Sequence, residues 1–216
     1  MFRNYFKREL SQVFVLRGFT LYIPKYSEVS DRNLILEVMS KYSFATVVTC
    51  SDGLPTANHY PFLITSSNDE LVLFTHLARS NPQYTELKNV QKCLVIFQGP
   101  HLYVSPSYYK DIENVPTWSY VAIHAHCAAE IIEDREGIET LIDKTVRHFE
   151  IENKTHWNYK LPAQFKEHLF KAIVGIKMTV VTVEGKFKLS KNRTKMTMNH
   201  WFLPLQNDRT MRRRNC

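Results

Sequence analysis

Residues 44 to 64 read F-A-T-V-V-T-C-S-D-G-L-P-T-A-N-H-Y-P-F-L-I. Phe44 to Cys50 is rich in β-branched residues, and Ser51-Asp52-Gly53 is a hairpin signal, because Asp and Gly tolerate the left-handed backbone of a tight turn. Thr56 to Ile64 is then the returning strand. A hairpin imposes antiparallel pairing, since parallel strands require a long crossover. The same alternation of strand-like run and short turn recurs downstream. Glu70 to Thr75 follows the polar turn Ser66-Ser67-Asn68-Asp69. Cys93 to Gln98 and Leu102 to Ser105 flank Gly99-Pro100 as a further expected hairpin. Thr117 to Ile132 and Ile173 to Val183 read as longer strands.

Helices frame these strands. After Ser30-Asp31, both good N-cap residues, Leu34, Ile35, Val38, Met39 and Tyr42 recur on one face. Glu136 to Glu150 carries Ile138, Leu141, Ile142, Thr145, Val146 and Phe149 at helical spacing, and Pro162 opens a short third helix. The expected fold class is α+β: an antiparallel, partly open β-barrel of about six strands with peripheral helices.

The chain has 216 residues, of which 44% are apolar and 23% charged. That is enough to bury one core, and the composition excludes an intrinsically disordered chain. No apolar run approaches the roughly 20 residues of a membrane-spanning helix. The only apolar run near the N-terminus, Val13 to Leu16, is too short for a secretory signal. Net charge is +7, which by itself suggests nucleic acid. Its location says otherwise. Residues 1–20 carry net +3 and residues 194–216 net +4, so residues 21–193 are balanced. The excess lies in two basic ends, not in a basic groove. The cysteines, Cys50, Cys93, Cys127 and Cys216, have no metal-ligand spacing. Three sit in apolar stretches, which points to a reducing, cytoplasmic setting.

The stretch richest in chemistry is Phe74-Thr75-His76-Leu77-Ala78-Arg79-Ser80-Asn81-Pro82-Gln83. It leaves a strand and ends in Asn-Pro, a strong helix start with Asn81 as cap. A helix N-terminus offers free N–H groups to an anion, Arg79 offers a bidentate fork, and Thr75 and His76 add donors. These residues suit a phosphate pocket or, equally, an ordinary strand-to-helix loop with a solvated arginine. His124-x-His126 places two imidazoles on one strand face, but no third ligand is evident and no metal is expected. Trp118, Tyr120, Tyr103, Tyr108 and Tyr109 suit either a wall for stacking a planar ring or barrel and interface packing. No helix-turn-helix pattern is present.

Motifs in order along residues 21–193 resemble one family, the PaiB-type FMN-binding negative transcriptional regulators. The Thr75–Gln83 segment is similar to its G-H-x-A-R-x-N-P-Q. Leu21-Tyr22-Ile23-Pro24 resembles M-Y-x-P, and Ala57-Asn58-His59-Tyr60-Pro61 resembles A-x-H-L-P. Val95 to Pro106 is similar to V-x-F-x-G-P-H-x-Y-I-S-P, Val115 to Tyr120 to V-P-T-W-N-Y, Ile173 to Ile176 to I-V-G-F, and Lys188 to Arg193 to K-L-S-Q-N-R. The resemblance implies an FMN-binding split barrel, a homodimer with flavin near the subunit interface, and the flavin phosphate against Thr75, His76, Arg79 and Asn81. It implies that Trp118, Lys188 and Ser190 lie near the flavin. DNA or a partner regulator is the implied macromolecular target, with sporulation and degradative-enzyme genes under negative control.

The sequence departs from the pattern at Thr75 for Gly, Ser119 for Asn, Lys191 for Gln, Tyr108 for Trp, and His124-Ala125-His126-Cys127 for H-x-Y-G. The resemblance begins at Leu21, where the family usually has its initiating Met. Residues 1–20 therefore read as a basic extension that need not belong to the native protein, and residues 194–216 as an unassigned basic tail. Two other function classes stand beside the regulator. One is a flavin-dependent oxidoreductase using NAD(P)H or another donor. The other is a flavin-free dimeric interaction module.

Overall fold

The computed structural model describes residues 21–67, 70–109, 114–155, 157 and 161–189. Ser190, Lys191 and the two basic ends lie outside the described residues. The strands are β1 (Glu28–Val29), β2 (Phe44–Ser51), β3 (Leu54–Pro61), β4 (Leu63–Ser67), β5 (Glu70–Ala78), β6 (Lys92–Val104), β7 (Thr117–Ile132) and β8 (Ile173–Lys188). The helices are α1 (Arg32–Lys41), α2 (Pro82–Val90), α3 (Arg135–Glu152) and α4 (Ala163–Lys171). All pairings are antiparallel, in the order β3-β2-β6-β7-β8-β5-β4 with β1 added to β8. The α+β class expected from the sequence is the class observed.

The opening hairpin forms as read. Asp52 and Gly53 take φ of 51° and 78°, the left-handed pair of a turn that matches strand twist. The returning strand is broken, however. Tyr60-Pro61 ends β3, Phe62 turns into the core, and β4 restarts at Leu63. The break lets β3 and β5 approach each other, where the Thr75 hydroxyl donates to the Pro61 carbonyl at 2.8 Å. The sheet thus curls toward itself around Phe62, Phe97, Leu73, Val95, Ile123, Ile176 and Met178, all essentially fully buried. A closed curl leaves fewer bare strand edges than an open sheet of this size.

The described residues form eight strands where about six were expected, and two further expectations change. Gly99-Pro100 is not a hairpin turn: β6 runs unbroken through it, with a register shift opposite β7 between Gln98 and His101. A bulge accepts Pro because the extra residue needs no ladder N–H. It also brings the strands close, since a Cβ on Gly99 would sit 2.9 Å from Val121 Cβ. Gly99→Ala is expected to cost about 1–3 kcal/mol by overpacking, read as a lower urea midpoint at unchanged m-value. The final strand continues past Val183 to Lys188, five residues beyond the expected end.

Helices plug and flank the barrel. α1 buries Ile35 and Met39, capped by Asp31, whose carboxylate accepts from Asn33 and Leu34 N–H. α2 buries Leu87 and Gln83. α3 buries Ile138, Leu141 and Thr145. It lies close against the sheet's outer face at Gly175, where an added Cβ would meet Leu141 at 2.7 Å.

Candidate functional site

Within the stretch Thr75–Gln83 the side chains go to different places. Thr75 and His76 are adjacent in β5, so their side chains leave opposite faces. Thr75 is buried in the core and spends its hydroxyl on Pro61. His76 lies on the other face, half-buried and paired with Gly175. Burial pushes its imidazole below the usual histidine pKa. A histidine lowered in the folded state leaves stability intact above the unfolded value of about 6.5 and erodes it below, because the unfolded chain then binds the extra proton. The urea midpoint should therefore fall between pH 7 and pH 5, and less steeply in His76→Phe. The remaining fall includes His124, also lowered chiefly by burial.

Arg79 makes three side-chain contacts within the fold and keeps its side chain 39% exposed. Its Nε donates to the Lys171 carbonyl and Nη2 to the Ile173 carbonyl, each at 3.3 Å, and Nη1 meets Glu133 at 3.3 Å. Its backbone N–H donates to Ala172. The guanidinium clasps the α4–β8 junction to the end of β7. Glu133 also accepts from Lys88 at 3.1 Å and from the Tyr84 hydroxyl. Hydrogen bonds from Tyr84 and Lys88 hold its carboxyl below the usual carboxylate range.

Asn81 caps α2 as expected, accepting from Gln83 N–H at 3.0 Å, and its amide donates to the Tyr60 hydroxyl at 3.0 Å. Gln83, fully buried, is the centre of the network. Its Oε1 accepts from Tyr60 at 2.8 Å and from Asn58 at 3.2 Å. Its Nε2 faces the Val47 carbonyl and the Thr49 hydroxyl at 3.1 Å. Glu86, one turn on, accepts from Thr56 at 2.9 Å and from Thr49. The Asn-Pro-Gln triplet anchors α2 onto the β2–β3 hairpin.

A different place brings the other candidates together. Trp118, Tyr120 and Lys188 share one face of β7–β8, and His101 joins them because the bulge in β6 sets it opposite Tyr120. Trp118 is 54% exposed and Tyr103 48%. The Trp118 ring lies 5.9 Å from Tyr103, edge to face, and 6.2 Å from His101. Trp118, His101 and Tyr120 border a cleft of about 380 Å³ that Ile96, Gln98, Val121 and Ala122 also line. The Lys188 ammonium donates to Thr117 Oγ1 at 2.9 Å. Lys186, buried, lies 5.4 Å from the Tyr22 and Tyr120 ring centroids and donates to the Tyr22 carbonyl at 2.6 Å. Ser119, where the sequence departs from the family pattern, is buried on the opposite face from Trp118 and Tyr120. Gln98 and His101, which line the cleft, are not among the residues singled out from the sequence. The signal for His101 was the Gly-Pro immediately before it, read as a turn.

Residues 21–182 match the family described as "Putative FMN-binding domain". The chain belongs to this FMN-binding family. FMN is its cofactor. The chain is 37% identical over 191 residues to "Protease synthase and sporulation protein PAI 2" of Bacillus subtilis (strain 168), covering 87% of this chain and 90% of that one. Two solved structures share the fold. A "putative 5-nitroimidazole antibiotic resistance protein" from Bacteroides thetaiotaomicron has TM-score 0.55 at 18% identity, covering 74% of this chain and 85% of its own. The flavocytochrome Anf3 from Azotobacter vinelandii has TM-score 0.54 at 12% identity, covering 80% and 73%.

The cleft fits the family's cofactor by its chemistry. Its volume lies within the roughly 300–1,000 Å³ of small-molecule sites. Aromatic faces suit a planar ring system, and the Gln98 amide suits the polar ring edge. FMN bound there would supply one- and two-electron chemistry.

Proposed function

We propose that the protein is a flavin-binding regulator of transcription of the PaiB type, acting in the cytoplasm as a homodimer. In this reading Trp118 stacks on the isoalloxazine, Lys188 holds the phosphate, and a second copy covers the half-exposed aromatic rim. The observation that carries it is the cleft lined by Trp118, Tyr120 and His101, with Lys188 the ladder partner of Tyr120. The regulatory half of the reading is supported by the near full-length similarity to a protein named for protease synthesis and sporulation. In this reading Arg79 clasps the α4–β8 junction, and Asn81, Gln83 and Glu86 anchor α2 on the β2–β3 hairpin. Regulation runs through a partner or through the basic ends.

The test has two parts. The purified protein should show a flavin absorption band, or take up FMN in preference to riboflavin. Deleting the gene should raise expression of secreted degradative enzymes, and the Lys188→Ala allele should reproduce part of that rise. A protein that binds no flavin, with an unchanged deletion strain, would refute the reading.

A second reading, a flavin-dependent oxidoreductase, is favoured by one feature. The Trp118–Tyr103 rim is half-exposed, so one edge of a bound ring would stay open to a donor. Bleaching of the flavin band by NADH or NADPH without oxygen would support it.

A further inference from the structure

Cys93 in β6 stands directly opposite Cys127 in β7. Opposed residues of an antiparallel pair project from the same face, and here both point into the core, Cys93 at 8% exposure and Cys127 at 0%. Just beyond them, Ala129 N–H donates to the Gln91 carbonyl at 2.9 Å. Hydrogen-bonded and unbonded pairs alternate along the ladder, so Cys93–Cys127 is a hydrogen-bonded pair with Cα atoms about 5.5 Å apart. Disulfides bridge Cα separations of about 4.4–6.8 Å. The backbone therefore already holds the two residues at bridging distance. Cβ atoms of a hydrogen-bonded pair lie near the wide end of about 4.5–5.5 Å, beyond the roughly 3.5–4.5 Å a disulfide spans, so closing the bridge must draw β6 and β7 together. A bridge here would be strained, and strained disulfides are the readily reduced ones.

The surroundings suit a dithiol. Both cysteines are free. Cys93 Sγ lies 3.7 Å from Met178 Sδ, and the Cys127 thiol faces the Ala125 carbonyl at 3.5 Å. No charged side chain is among these contacts. Hydrogen bonding to Cys93, then burial, raises the Cys127 thiol well above its ordinary pKa. Cys93 is the less buried of the two.

We propose that Cys93 and Cys127 are an oxidation site, a core thiol pair that closes into a reversible cross-strand disulfide when the protein meets a hydroperoxide. Cys93, as its thiolate, attacks a peroxide oxygen and breaks the O–O bond. It becomes a sulfenic acid, and hydroxide leaves. The Cys127 sulfur then attacks the Cys93 sulfur. The S–S bond forms, the S–O bond breaks, and the Cys127 proton departs with the hydroxyl as water. Overall, two thiols lose two electrons to one peroxide and two waters are released. A low-molecular-weight thiol reverses the bond by exchange. The bridge would lock β6 to β7, the two strands that floor the aromatic cleft. The chemistry itself does not depend on flavin being bound there.

The experiment uses the full chain with Cys50→Ser and Cys216→Ser, leaving only Cys93 and Cys127. It is treated with hydrogen peroxide while folded, then unfolded in a thiol-blocking reagent and weighed intact. The expected result is loss of both blockable thiols, a mass lower by two hydrogens in the monomer, and full recovery after dithiothreitol. In the same background Cys127→Ala should gain oxygen at Cys93 and form no internal bridge. Two thiols that remain blockable after treatment, or oxygen gain without a bridge when both cysteines are present, overturn the proposal.

Discussion

Gln83→Leu is expected to lower the unfolding free energy by about 3–5 kcal/mol. The side chains are similar in size, so the loss is polar rather than steric. Removing the amide strips the Val47 carbonyl of a side-chain donor and the Tyr60 hydroxyl of its acceptor, both in buried surroundings. Each buried polar group left unpaired costs about 1–3 kcal/mol, and the Asn58 amide loses its acceptor as well. For a domain of this size that is a fall in melting temperature of roughly 10 °C. Differential scanning calorimetry reads it directly. Tyr60→Phe in the same background should recover part of the loss, because the hydroxyl left unpaired by Gln83→Leu is then absent. A double-mutant cycle isolates that coupling. A melting temperature unchanged by Gln83→Leu would mean that the network is not what holds α2 on the hairpin.

The second large effect concerns the cofactor. Lys188→Ala is expected to weaken FMN binding about 10- to 100-fold, the equivalent of roughly 1.5–3 kcal/mol for a hydrogen bond to a charged group. Riboflavin, which lacks the phosphate, should bind the variant and the parent alike. Trp118→Ala should weaken both flavins together, since stacking does not distinguish them. Arg79→Ala supplies the contrast. Its three guanidinium contacts are to Lys171, Ile173 and Glu133, so its loss should lower stability and leave the preference for FMN over riboflavin in place. If instead Arg79→Ala abolishes that preference while Lys188→Ala keeps it, the phosphate lies at the α2 loop after all. Titration by fluorescence quenching of the free flavins separates these outcomes.

These contrasts show where sequence reading reached and where it stopped. Signals that act within a few residues were legible. Asp52-Gly53 made its turn, Asn81-Pro82 capped its helix, and Asp31 capped another, because the group that satisfies the backbone is a neighbour in the chain. The α+β barrel followed from hairpin spacing for the same reason. Arg79 could not be judged locally. Its partners at Glu133, Lys171 and Ile173 lie 54, 92 and 94 residues away, and a loop rich in donors looks the same whether the acceptors are a ligand's or the fold's own. Gly99-Pro100 misled for a related reason. The pair is compatible with a turn and with a bulge, and only the position of β7 across from it decides. Trp118 and Lys188 come onto one face because β7 and β8 run side by side for most of their length, a pairing that composition does not announce.

The place of β8 has a consequence for synthesis. It is the last described strand, yet it sits between β7 and β5, and it also carries β1, with Gly185 opposite Val29. A chain emerging from the ribosome therefore carries two unfinished half-sheets, β3-β2-β6-β7 and β4-β5, until β8 arrives to join them. Each half exposes a long bare edge, and the 16-residue edge of β7 is the longer. Nascent chains paused between Ile132 and Ile173 hold those edges open to other chains. Yield in the cell thus depends on how quickly the final third is translated and on chaperone capacity during that interval.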